Sequence, residues 1–351
     1  MSDESWSTLP KGTPLGGVRD ALDALGYLKC SVPPFFSPKV SLAYSWFDTL
    51  HYRSFVGVYL DVAENQEGVI EVYTRTNEGR SFYDCEHQNL TIRTLRRKFG
   101  GEFRTDMGIG RYFKPDRDAE KPDQAGCHLA FQRFGHGIIR AHGYLSTLAF
   151  NDEKVQVLYQ VMPGQDPRVL SRHLLLTYLA AVFEEYTRST FVALLRYLPS
   201  KEAILKGARL SGKQLADVSD GALSIDEAFA QNLHFQNALQ ASEHLKLLDR
   251  RLDLAGLLRR PYRTRKTTLL DGLLEMVTRR NAFVHGTDLE LNLNEKLMWK
   301  YLDDLETAVV RFYRHLTSLH GWEFSQGWGR GKGSTRLSEG MVKKSDTEAK
   351  P

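Results

Sequence analysis

Three polar residues within six positions have the composition of a site for phosphate chemistry. Arg280, Asn281 and His285 stand in the string Arg-Asn-Ala-Phe-Val-His. An imidazole titrates near neutral pH and can carry protons to and from an oxygen. A guanidinium stays charged and offers two N–H groups to the oxygens of a phosphate. An amide beside them can orient either the phosphate or the imidazole ring. An RNA strand brings its own nucleophile, the 2′-hydroxyl. Cleaving it then requires proton transfer and stabilisation of the charge on the phosphorane, and this residue set matches both needs. No metal and no cofactor are expected.

These side chains need a rigid element to hold them. Leu270, Leu273, Leu274 and Val277 follow helical spacing, which predicts a helix over 266–285 with Gly286 as its stop. Continuing that apolar face by the helical repeat leads to positions 280, 281, 284 and 285. Arg280, Asn281 and His285 therefore interrupt it, and the face is expected to open onto a cleft or a subunit interface. Arg279 falls off this stripe and ranks below Arg280 as the site cation. The same residues also fit a plain structural role, with His285 favouring the helix C-terminus and Arg280 a surface cation.

A basic run lies just before the helix. Arg259, Arg260, Tyr262, Arg263, Arg265 and Lys266, with Arg250 and Arg251 upstream, face the single acid Asp253. Such a run attracts phosphates, and Tyr262 can stack on a base. These residues are the expected RNA-binding set; a solvated loop between helices is the alternative.

Around this helix the chain reads as α+β, with a mainly antiparallel β domain followed by an all-α bundle. The first 38 residues look loosely structured, apart from a short helix at 18–28. Residues 39–165 are rich in β-branched and aromatic side chains, and strands are expected at 54–60, 69–74, 127–133, 138–144 and 155–161. After Asp166-Pro167, an N-cap followed by a first-turn proline, the period becomes helical. Residues 166–324 should hold a helix from 167 to before Pro199 and a second opened by the capping box of Ser224 and Glu227. The 266–285 helix and a fourth from Asn292 complete the bundle. Residues 325–351 carry basic residues without apolar periodicity and read as a disordered tail.

The string Arg280-Asn281-Ala282-Phe283-Val284-His285 at the end of a late helix resembles the signature of the HEPN superfamily. The long helix with Phe183-Glu184-Glu185-Tyr186 is similar to the opening helix of several bacterial members. The resemblance covers about residues 167–320. It implies a bundle of four or five helices that dimerises face to face, so that two motif copies form a composite, metal-independent ribonuclease site. Arg280 would then stabilise phosphorane charge, His285 move protons, and Asn281 orient them. It also implies a toxin, abortive-infection or other phage-defence role. In that setting the β domain would sense a trigger or hold an inhibitor. Some members keep the fold as non-catalytic modules that bind RNA or a protein, which is the alternative function. Thr287 stands where one subgroup carries a Tyr modified by nucleotidyl transfer, so that regulation is not implied.

The global numbers leave these local features to decide. In 351 residues, 42% are hydrophobic and 26% charged, which excludes wholesale disorder. Three cysteines argue against a disulfide scaffold. A net charge of +4 imposes no nucleic-acid or membrane partner. No apolar run is long enough for a membrane span, and the polar start carries no leader, so a cytoplasmic location is expected.

Overall fold

The computed structural model describes residues 2–30, 40–48, 50–65, 67–148, 166–286 and 289–326. The chain divides into two compact units, Met1–Gly126 and Cys127–Pro351. The first is built on an antiparallel sheet and the second on helices, as the α+β reading expected.

In the first unit seven strands pair in the order β2-β3-β4-β5-β1-β6-β7. They are β1 (Asp3–Thr8), β2 (Leu28–Lys29), β3 (Val40–Trp46), β4 (Val58–Glu64), β5 (Ile70–Thr76), β6 (Glu102–Thr105) and β7 (Gly108–Ile109). Helices α1 (Leu15–Ala24) and α2 (Phe82–Phe99) pack Val18, Leu22 and Leu95 onto Leu60, Val62, Ile70 and Val72.

Residues 1–38 are thus not loosely structured throughout, because β1 lies inside the sheet between β5 and β6. Its polarity concealed it. The inward side chains are Asp3, Ser5 and Ser7, and they meet a polar interior. Ser5 Oγ lies 2.6 Å from Thr74 Oγ1, and Gln88 Nε2 on α2 donates to Thr74 Oγ1 and to the Asp3 carbonyl. Buried hydroxyls that satisfy one another replace the apolar alternation by which strands are recognised. The strand expected at 54–60 begins only at Val58. Residues 54–57 wrap instead around the buried Asp84 carboxylate, which accepts from Ser54 Oγ (2.6 Å) and from the N–H groups of Phe55, Val56 and Gly57.

The segments 127–133 and 138–144 are helix rather than strand, both within α3 (Pro122–Leu148). Glycines at 135, 137 and 143 and several aromatics weaken the helical signal. The buried positions nevertheless run Phe131, Phe134, Ile138, Ala141 and Leu145, a three/four spacing. Gly137 permits close packing, since a Cβ there would stand 2.9 Å from Val182. Phe131 stacks on Tyr313 with ring centroids 4.0 Å apart, and Phe134 meets Tyr186. The expected β-rich 39–165 domain therefore gives up residues 127–148 to the helical unit. The strand expected at 155–161 lies outside the described residues, as does most of the 325–351 tail.

The long helix α4 (Pro167–Tyr197) forms as read, with Asp166 as N-cap and Pro167 at its first position. Then come α5 (Lys201–Leu205), α6 (Gly212–Ser219), α7 (Ile225–Gln231), α8 (Ala238–Leu248), α9 (Leu254–Leu258), α10 (Leu269–His285) and α11 (Glu295–His320). Ser224 and Glu227 close the expected capping box. The single helix expected after it is split at 232–237, where Phe235 is fully buried against Phe191 and Asn237 caps α8. Helix α11 is capped by Asn294, two residues after the expected Asn292. Helix α4 is the hub, packing on α7, α8, α10 and α11.

Candidate nucleic-acid site at the end of α10

Helix α10 starts with a capping box between Thr268 and Asp271 and ends at His285, with Gly286 as C-cap. Its buried face is Leu269, Leu270, Leu273, Met276 and Val277, followed by Arg280 and Phe283, both part-buried. This face is rotated by about one position from the expected one. Met276 and Phe283 take the inward places that Leu274 and Val284 were expected to hold, because α10 packs between α4 and α11. Asn281, Val284 and His285 are exposed. The polar residues therefore do not interrupt a buried stripe. They project from the free side of the last turns, and Arg280 sits at the boundary.

Arg280 is the distinctive group. Its Nη1 donates to Asn281 Oδ1 (2.9 Å) and to Gln236 Oε1 (3.4 Å). Both acceptors are neutral. Its Nε is buried without a hydrogen-bond partner, and no carboxylate pairs with it among the described residues. Arg279 contrasts with it at every point. Arg279 donates to Glu290 and to Glu275 (3.0 Å), so its charge is matched twice over. Geometry thus separates the two arginines by what meets the charge of each. Asn281 is tied to Arg280, and His285 is exposed beyond it.

Two contributors escaped the sequence reading. Gln236 comes from the break between α7 and α8, which was read as continuous helix; Asn237 as an N-cap was the available signal. His173 on α4 is buried, with its ring 4.8 Å from that of Phe283. Its Nδ1–H donates to the Val169 carbonyl (2.9 Å), and its Nε2 accepts from the Glu290 N–H (3.1 Å). Both ring nitrogens are used, which fixes one neutral tautomer. His173 therefore anchors the end of α10 and the following segment to α4.

The basic run does not surround this site. It lies before α10, whose first residue Leu269 is about 16 Å from Arg280 along the axis at ~1.5 Å per residue. Much of it is already engaged. Arg263 pairs with Asp303 (3.3 Å), and Arg265 with Asp303 (3.4 Å) and with the buried Asp304. Tyr262 Oη contacts Thr307 Oγ1, and the guanidinium groups of Arg263, Arg265 and Arg311 lie 4.7–5.5 Å from its ring centroid. A base could stack there only by displacing a guanidinium. Arg259, Arg260 and Lys266 are exposed and make no ion pair among the described residues.

Comparison of the chain with family models, with curated proteins and with solved structures gives no match. Among the described residues no helix is long and apolar enough to cross a membrane.

Proposed function

We propose that the helical unit is a HEPN-like endoribonuclease that cleaves RNA without a metal, at a site composed of Arg280, Asn281 and His285 from two chains. The observation that carries this reading is the state of Arg280. It is a part-buried guanidinium held only by amide oxygens, so its charge remains available to an anion. Asn281 and Gln236 fix the position of its Nη1, and its remaining N–H groups can meet two oxygens of a phosphate. His285, exposed five residues on, takes the proton from the 2′-hydroxyl or returns one to the departing 5′-oxygen. Arg280 meets the charge that builds on the phosphorane.

A second copy is part of the proposal. Large apolar side chains stand exposed on both sides of the His173 contact: Leu170 and Leu174 on α4, Val284 on α10, and Leu291 beyond it. Burying such a set against a second chain would bring two copies of the motif together. Arg259, Arg260 and Lys266 would guide the flanking RNA. A cytoplasmic toxin or abortive-infection role fits this chemistry, with the sheet unit receiving a trigger or inhibitor.

Expression in cells tests the reading. Transfer, ribosomal and messenger RNA should be degraded by the wild-type protein and left intact by His285→Ala. RNA retained by the purified protein without any cleavage would instead make this a binding module.

A further inference from the structure

The sheet of the first unit turns one face to α1 and α2. The opposite face carries a row of side chains in register across four strands. Asp61 on β4 pairs with Tyr73 on β5, Tyr73 with Trp6 on β1, and Trp6 with Arg104 on β6. Glu4 and Arg75 lie beside this row on one flank, and Glu71 and Thr8 on the other. The row, with Glu4, Glu71 and Thr8 but not Arg75, lines a cavity of about 620 Å³. That volume is in the range of ligand sites and accommodates one or two long side chains.

The cavity has a definite chemical bias. Its rings are close, with the centroids of Trp6 and Tyr73 5.6 Å apart. The Arg104 guanidinium already lies 4.6 Å over the Trp6 ring, so this surface holds one cation–π contact of its own. The lining acids are Glu4, Asp61 and Glu71, against the lone lining cation Arg104. Glu4 has Arg75 at 3.8 Å. Asp61 has no hydrogen bond and no ion pair among the described residues, although it is part-buried. Burial pushes its carboxyl above the usual carboxylate range. A carboxylate withdrawn from water beside an aromatic ring lacks the cation that would offset its desolvation.

We propose that this cavity docks a basic peptide segment, with an arginine side chain laid on the Tyr73 ring and hydrogen-bonded to Asp61. Arginine suits the site better than lysine because its flat guanidinium can stack and bond to both carboxylate oxygens together. Glu4 and Glu71 then face further basic residues of the same segment. The three acids repel phosphates, which disfavours a nucleic acid here. This inference is independent of the reading of α10.

Calorimetric titration of the full chain tests it with three probes: a hexa-arginine peptide, a hexa-lysine peptide and a 12-nucleotide polyuridine RNA. The arginine peptide should bind, and more tightly than the lysine peptide. Asp61→Asn should weaken it about tenfold or more, Tyr73→Leu should also weaken it, and Glu202→Gln on α5 should have no effect. Asp61→Asn is isosteric and removes a desolvated charge, so the melting temperature should hold or rise. Absence of arginine-peptide binding would overturn the proposal, as would equal binding by wild type and both cavity variants. RNA binding that is lost in Tyr73→Leu would overturn it too, marking the face as a nucleic-acid platform.

Discussion

At the residue scale, two adjacent arginines on α10 differ in what neutralises them. Arg279 sits between Glu275 and Glu290, while Arg280 has only amides. Arg280→Ala should therefore lower RNA cleavage about a hundredfold or more at nearly unchanged stability. Arg279→Gln should change cleavage only a few-fold and cost about 1 kcal/mol, because its pairs are partly exposed. Single-turnover cleavage and urea melts of both variants check this contrast. The sequence supplied the residue types and their place at a helix end. Helical spacing could rank Arg280 over Arg279, but for another reason, since the buried stripe runs through Met276 and Phe283. It could not supply Gln236, whose approach depends on a buried Phe235 that breaks a helix, or His173, whose partner lies 117 positions away.

At the element scale, His173 joins α4 to α10 through its ring contact with Phe283 and to the following segment through the Glu290 N–H. His173→Phe keeps the contact with Phe283 but removes both hydrogen bonds and leaves the Glu290 N–H without its acceptor. A loss of about 1–3 kcal/mol is expected in a chemical denaturation curve. A second histidine gives the sheet unit its own pH response. His87 on α2 is stacked on Trp46 with centroids 3.8 Å apart, and burial, only partly opposed by Asp48, lowers its pKa to about 4. The unfolded chain binds this proton at about pH 6.5, so between the two values the unfolded state holds more protons. Stability from this group is full above about pH 6.5 and is lost as the pH falls toward 4, by about 3 kcal/mol. Melting followed at Trp46 should show that slope, and His87→Phe should flatten it. Elements with ordinary signals were legible. Helix α4 was readable from Asp166-Pro167 and its apolar spacing, and α7 from its capping box. Strand β1 and helix α3 were not, because a hydroxyl-lined interior and a glycine-rich helix hide the periods that identify them.

On the scale of the whole molecule, the unit boundary falls at Gly126 and Cys127 rather than near 165. Helix α3 contributes Phe131 and Phe134 to the core that holds Tyr186 and Tyr313. A chain of residues 120–326 should therefore fold cooperatively. One of residues 166–326 should lose near-ultraviolet circular dichroism and exchange its amides rapidly, because two large aromatic side chains leave its core. The net charge of +4 also conceals an uneven surface: an acid-lined cavity on the sheet unit, and the exposed Arg259, Arg260 and Lys266 ahead of α10.

The most direct test treats total cellular RNA with the purified full chain in excess EDTA and identifies the new ends. Use of the 2′-hydroxyl as nucleophile, with Arg280 and His285 acting on the phosphate, predicts 2′,3′-cyclic phosphates and 5′-hydroxyls from the wild-type protein. It predicts neither from Arg280→Ala or His285→Ala. Equal cleavage by wild type and both variants, or cleavage that EDTA abolishes, would contradict the account.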